Sequence, residues 1–115
     1  MITLYGIGNC DKIRKTRNWL VQQQLDYEFH DYKKQGCDAA LARKLLNAFS
    51  IEELINTRGT TWRKLDQSQR EPLDESRALQ LMQEYPSLIK RPILHIHQSW
   101  LLGFDPARIS ALAGN

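Results

Sequence analysis

The first third of the chain switches from β to helical and back to β patterning within about 30 residues, an order that few folds accept. Ile2-Thr3-Leu4-Tyr5 is a run of β-formers that ends at Gly6 and Gly8. From Asp11 to about Gln24 the period becomes helical, with Ile13, Arg17, Leu20 and Gln24 on one side and Trp19 thickening the apolar face. Tyr27 to Tyr32 alternates and reads as a second strand. Strand, helix and strand this close together form a βαβ unit, whose two strands run parallel.

Helical patterning dominates the middle of the chain. Asp38 opens a helix over Ala39 to about Ala48, and Ser50 with Glu53 three residues later is a capping box for a short helix through Ile55. Asn56 to Thr61 reads as a loop, and Asp74 caps a further helix to about Glu84, stopped by Pro86. Then Ile93 to His97 alternates as a strand, Gln98-Ser99 turns, and Trp100-Leu101-Leu102 returns as its antiparallel partner. Asp105-Pro106 supplies an N-cap and an N1 proline for a last helix to about Ala113. The order βαβ, helices, ββα predicts an α/β, thioredoxin-like fold with a mixed sheet. An all-helical insert occupies about residues 38–86 of a single domain, 1–115.

Composition narrows the function classes. The chain has 115 residues, 42% hydrophobic and 25% charged, which suits one soluble domain. No apolar run approaches the ~18 residues a membrane span needs, and the segment after Met1 lacks the features of a signal peptide. The net charge of +3 comes from 16 basic and 13 acidic residues that are intermixed, with no basic block to serve as a nucleic-acid arm. The small excess suits a small anionic ligand. Two cysteines without a secretion signal point to reduced thiols in the cytoplasm.

Cys10 stands between the first strand and the first helix, where open α/β sheets bind ligands. The unpaired N–H groups of a helix start and its partial positive charge favour a thiolate, the nucleophilic form. Lys12, Arg14 and Arg17 push the same way, and Asp11 opposes them. The run Cys10-Asp11-Lys12-Ile13 has no second cysteine at its fourth position, so a Cys-x-x-Cys dithiol is excluded. Cys37, in a polar loop after Gly36, reads as incidental to the chemistry.

Three other segments are candidates. In Lys90-Arg91-Pro92-Ile93 a proline stands at the first position of a strand, where its missing N–H does least harm. In thioredoxin-type folds this proline is commonly cis and faces the nucleophile, which would set Arg91 against an anion at Cys10. Asn56-Thr57-Arg58-Gly59 offers Arg58, flanked by hydroxyls, as an anion contact. His95 and His97 share a strand face at i, i+2, but no third ligand stands at zinc-like spacing, so no metal is expected. Trp62, Trp100 and Phe104 read as core or lid aromatics.

Gly6-Ile7-Gly8-Asn9-Cys10 with Arg14, Thr16 and Leu20, then Leu54 to Leu65, then Leu88-Ile89-Lys90-Arg91-Pro92-Ile93 resemble the arsenate reductase (ArsC)/Spx family over essentially the whole length. The chain is most similar to the YffB subgroup, through Phe29-His30-Asp31-Tyr32-Lys33, Gly59 to Asp66, and Leu101-Leu102-Gly103-Phe104. The resemblance implies catalysis by Cys10, with glutathione or glutaredoxin as electron donor and no bound cofactor. In arsenate reductases three arginines stabilise the oxyanion. Here Asn56 stands at the first position with Arg58 two residues on, Arg91 at the second, and Phe104 at the third. The histidine often found four residues before the cysteine is Gly6.

Losing guanidinium groups weakens a site for a multiply charged tetrahedral anion, and one such donor is worth ~10²–10³ in rate. An apolar Phe104 suits a peptidic thiol better. The expected function is therefore a glutathione-dependent monothiol reductase. The nucleophile is Cys10, the anion contacts are Arg14, Arg58, Arg91 and Pro92, and Asn9, Lys12, Asn56 and Phe104 lie nearby. Arsenate reduction and an Spx-like, non-catalytic regulator that binds RNA polymerase are the alternatives.

Overall fold

The computed structural model describes residues 1–114. The chain divides into two compact units, residues 1–35 with 91–115, and residues 36–90.

The first unit is built on a four-stranded sheet. Its strands are β1 (Ile2–Gly6), β2 (Tyr27–Asp31), β3 (Ile93–Ile96) and β4 (Ser99–Leu102), in the order β2-β1-β3-β4. β1 and β2 are parallel, as the βαβ order requires, while β3 pairs antiparallel with both β1 and β4. This is the mixed sheet of a thioredoxin-like fold. Helix α1 (Asp11–Gln22) links β1 to β2, and its inner face is Ile13, Thr16 and Leu20, all buried. Ile13 and Leu20 pack with Ile2, Leu4, Leu94, Ile96, Leu101 and Ile109 into one apolar cluster. Thr16 enters this face because its hydroxyl donates to the Lys12 carbonyl at 2.7 Å.

Several sequence expectations are corrected in this unit. Arg17 and Gln24 do not share the inner face. The Arg17 Nε donates to the Tyr27 hydroxyl at 2.9 Å, with its guanidinium over the Phe29 ring at 4.4 Å. α1 stops at Gln22, and Gln24 takes the left-handed backbone (φ 56°) while the Leu25 N–H donates to the Leu20 carbonyl at 3.0 Å. A glutamine where glycine is usual left no stop signal to read. Tyr32 leaves the strand for a one-turn helix, α2 (Tyr32–Gln35), set off when Asp31 Oδ1 accepts from the Lys33 N–H at 2.9 Å. The hairpin turn is His97-Gln98, not Gln98-Ser99, and His97 adopts φ 55°. His97 is thereby off the strand, so it does not share a strand face with His95, which stacks on Trp100 at 4.1 Å instead.

The second unit is helical: α3 (Ala39–Ala48), α4 (Ile51–Leu54), α5 (Thr60–Lys64), α6 (Gln67–Arg70), α7 (Glu75–Glu84) and a 3-10 turn at Pro86–Leu88. The expected caps are present. Asp38 accepts from the Leu41 N–H at 2.8 Å and Asp74 from the Arg77 N–H at 2.9 Å. Ser50 and Glu53 bond reciprocally at 3.2 and 2.9 Å. The expected loop over 56–61 is shorter, because Gly59 caps α5 and takes Thr60 and Thr61 into it. α6 opens where the Gln69 side chain accepts from the Asp66 N–H at 2.8 Å. α3 packs on α7, and Leu65, Leu81 and Leu88 form a buried cluster edged by Trp62, Leu73 and Tyr85. The last element, α8 (Pro106–Ala113), returns to the first unit, where Asp105 accepts from the Arg108 N–H at 3.2 Å.

No helix among the described residues is long and apolar enough to cross a membrane. Leu20 is 0% exposed and Val21 65%, so the two neighbours should behave oppositely. Leu20→Ala is expected to cost ~2–5 kcal/mol. Val21→Ala should stay within ~0.5 kcal/mol. Urea midpoints at constant slope check both.

Candidate active site

Cys10 is the N-cap of α1, with extended backbone (φ −91°, ψ 132°), and its carbonyl accepts the first helical bond from the Arg14 N–H at 3.0 Å. Its own N–H donates to the Ile7 carbonyl at 3.2 Å, closing a tight turn through Gly8 and the exposed Asn9. The half-buried thiol is thus set at the carboxyl end of β1, facing the open end of the helix.

What surrounds the sulfur decides its ionisation. Burial is the largest influence and pushes the pKa up, but the combined opposing effects outweigh it. The backbone N–H of Ile13, a hydrogen bond from the Arg91 guanidinium, the N–H of Lys12 and the charge of Arg91 all favour the thiolate, and the net pKa lies below the ordinary 9.0. No side-chain hydrogen bond caps the helix, and the amides act on the sulfur as oriented dipoles.

The cations arrange themselves differently from the sequence expectation. Arg14 forms an ion pair with Asp11, and Arg17 is committed to Tyr27 and Phe29. The guanidinium that acts on the sulfur comes from the far end of the chain, at Arg91. The Arg91–Pro92 peptide bond is cis, and the Pro92 carbonyl accepts from the Gly103 N–H at 2.8 Å. Arg91, Pro92, Gly103 and Phe104 line a cavity of about 320 Å³ together with Lys12 and Lys15 of α1.

Gly6 leaves room for the Ile13 side chain at the end of β1. A Cβ there would lie 2.3 Å from Ile13 Cδ1 and 2.8 Å from Ile13 Cγ1, with Arg91 Cδ at 3.8 Å. A side chain at position 6 would displace the Ile13 side chain.

The profile of the ArsC family matches residues 5–112. The chain belongs to the ArsC family. A solved structure of a YffB protein superposes with a TM-score of 0.92 at 41% identity, covering 98% of this chain and 99% of that one. The solution structure of an arsenate reductase (ArsC) related protein from Brucella melitensis is 44% identical, with a TM-score of 0.75 over 96% and 92% of the two chains. The global transcriptional regulator Spx of Streptococcus pyogenes serotype M3 is 32% identical over 113 residues, 96% of this chain and 84% of that protein.

The remaining candidates of this ArsC-family chain fall in the second unit. Asn56 and Arg58 line a cavity of about 650 Å³ with Ile55, Thr57 and Lys90. Its loop is tied down by an isolated bridge between Ile55 and Ile89, and the Asn56 N–H donates to the Leu88 carbonyl at 2.8 Å. The Asn56 side chain accepts from the Arg58 N–H at 3.0 Å, so it shapes the turn, and the exposed Arg58 stands free to meet solvent. Gly59 gives the Asn56 side chain room, since a Cβ would lie 2.8 Å from Asn56 Nδ2 and the amide would have to shift.

Cys37 is buried, and burial followed by the Asp38 charge pushes its thiol up to about 11. Both cysteines are free. No group of three metal-ligating side chains gathers among the described residues. Lys15 and Gly103 join the cavity at Arg91 without having been expected as site residues. Lys15 is legible as the i+3 partner of Lys12 on one helix face, and Gly103 only as part of the Leu101-Leu102-Gly103-Phe104 phrase.

The two thiols should separate by pH. A lowered pKa means more thiolate at neutral pH, so alkylation of Cys10 by iodoacetamide should show its midpoint below 9.0, while Cys37 should resist until the region of 11 or until unfolding. Arg91→Gln should move the Cys10 midpoint upward and leave Cys37 unchanged, as read by peptide mapping of the alkylated protein.

Proposed function

We propose that this ArsC-family protein is a glutathione-dependent monothiol reductase with Cys10 as its nucleophile. One observation carries the reading. A thiol with a lowered pKa at a helix start faces Arg91, beside a cavity whose charged walls, Lys12, Lys15 and Arg91, are all cationic. Such a cavity suits the carboxylates of a peptidic thiol. The position where a Cys-x-x-Cys protein keeps its second thiol is occupied by Ile13, which is fully buried. The second thiol is then supplied from outside.

The exchange proceeds in three balanced steps. The Cys10 thiolate attacks one sulfur of a disulfide R–S–S–R′. A Cys10–S–S–R bond forms as the original bond breaks, and R′S⁻ leaves with the electron pair and takes a proton from water. A glutathione thiolate next attacks the Cys10 sulfur, and RS⁻ departs and is protonated. A second glutathione thiolate attacks the glutathione sulfur now bound to Cys10, giving oxidised glutathione and restoring the Cys10 thiolate. Two glutathione molecules are oxidised for each disulfide reduced.

Arsenate is the weaker substrate on this reading. Phe104 replaces the third arginine expected of arsenate reductases, and its ring packs edge-on against Trp19 at 5.9 Å. A regulatory role finds its support in the resemblance to Spx.

Brief exposure to oxidised glutathione at neutral pH should give one rapid adduct, mapped to Cys10 by intact-mass spectrometry and digestion. Cys10→Ser should abolish it, and Cys37→Ser should leave its rate within about twofold, because a thiol held near 11 contributes little thiolate at pH 7. Equal loss in both variants would refute the monothiol mechanism.

A further inference from the structure

A second cavity, of about 450 Å³, adjoins the one beside Cys10. Trp19, Phe104 and Pro106 give it apolar walls, and Lys15, Asn18 and Gln22 give it a polar rim. The two cavities share Lys15 and Phe104, so they are one groove, partitioned where Lys15 Nζ stands 5.7 Å from the centre of the Phe104 ring. Lys15, Asn18, Trp19 and Gln22 are spaced i, i+3, i+4, i+7, which puts them on one face of α1. The groove therefore follows the helix from Lys12, two residues past Cys10, toward its end.

Its length is informative. α1 rises ~1.5 Å per residue, so Trp19 stands roughly 13 Å along the axis from Cys10. An extended polypeptide advances ~3.3 Å per residue and covers that distance in about four. A tripeptide spans at most ~10 Å with its sulfur on the middle residue, so it fills the first cavity and falls short of the second. Charge selects the occupant. Lys12, Lys15 and Arg91 line the two cavities, and no Asp or Glu does.

Resting on the monothiol reading, we propose that the disulfide this protein reduces is carried by an extended, acidic polypeptide. That segment lies along α1 with its cysteine at Cys10, its carboxylates at Lys12 and Lys15, and an aromatic side chain four residues away against the wall formed by Trp19, Phe104 and Pro106. Trp19 and Phe104 are then specificity-determining residues, and Lys15 closes over the bound segment.

The test separates docking from chemistry. Uniformly ¹⁵N-labelled protein is titrated with Ser-Glu-Asp-Gly-Phe and with the reversed sequence, serine standing in for the cysteine. One of the two orders should shift the Trp19 indole and the amides of Lys15 and Phe104 saturably. Replacing the peptide phenylalanine by alanine should weaken binding about tenfold. The surface substitution Lys15→Glu should weaken it similarly while leaving the rest of the free-protein spectrum in place. Shifts confined to other residues, equal binding of the alanine peptide, or no saturation would overturn the proposal. The preferred peptide is then remade with cysteine as a mixed disulfide to a chromophoric thiol, and release from the phenylalanine form should outpace the alanine form about tenfold. A peptide that binds in the groove yet exchanges with no thiol would support the docking surface and refute the reductase reading.

Discussion

The contact between Gly6 and Ile13 is the constraint on which the site depends. With no side chain at position 6, Ile13 packs directly onto the end of β1; a Cβ there would fall 2.3 Å from Ile13 Cδ1, and that side chain would have to shift. That approach seats the first turn of α1 against the sheet and aims the N–H groups of Lys12 and Ile13 at the Cys10 sulfur. Ile13, with no exposed surface, also anchors the apolar cluster of the first unit. One packing contact thus joins the hydrophobic core to the electrostatics of the thiol, and the site is as rigid as the core beneath it.

Charge around Cys10 follows proximity in space. Four basic residues follow it within two turns, but two of them are engaged elsewhere, Arg14 with Asp11 and Arg17 with Tyr27 and Phe29. An exposed ion pair of this kind contributes little to stability, yet it neutralises the charge that would otherwise press on the thiol. Arg91 does that work from a strand entrance about eighty residues away. Cys37 shows the opposite balance. It is buried beside the Asp38 carboxylate without a compensating donor, so its proton is held and the thiol is inert at neutral pH.

Elements whose boundaries carry a local chemical signal were legible. The caps at Asp38, Ser50, Asp74 and Asp105 are each visible in sequence, and each is present. Boundaries set by backbone geometry without the usual residue were not. Gln24 and His97 hold positive φ where glycine or asparagine is the common choice, so the end of α1 and the hairpin turn were misplaced. α5 begins within the expected loop because Gly59 serves as its cap, and glycine reads more readily as a loop residue than as a helix start.

The sequence by itself determined the order βαβ, helices, ββα, the placing of Cys10 at a helix start, and the absence of a dithiol at Ile13, because periodicity, caps and local spacing are properties of neighbouring residues. Tertiary structure alone decided which arginine faces the sulfur, how deeply each thiol is buried, and that Lys15 and Phe104 meet along one groove. Those depend on strand pairing and close packing between segments far apart in the chain, and no local pattern encodes them.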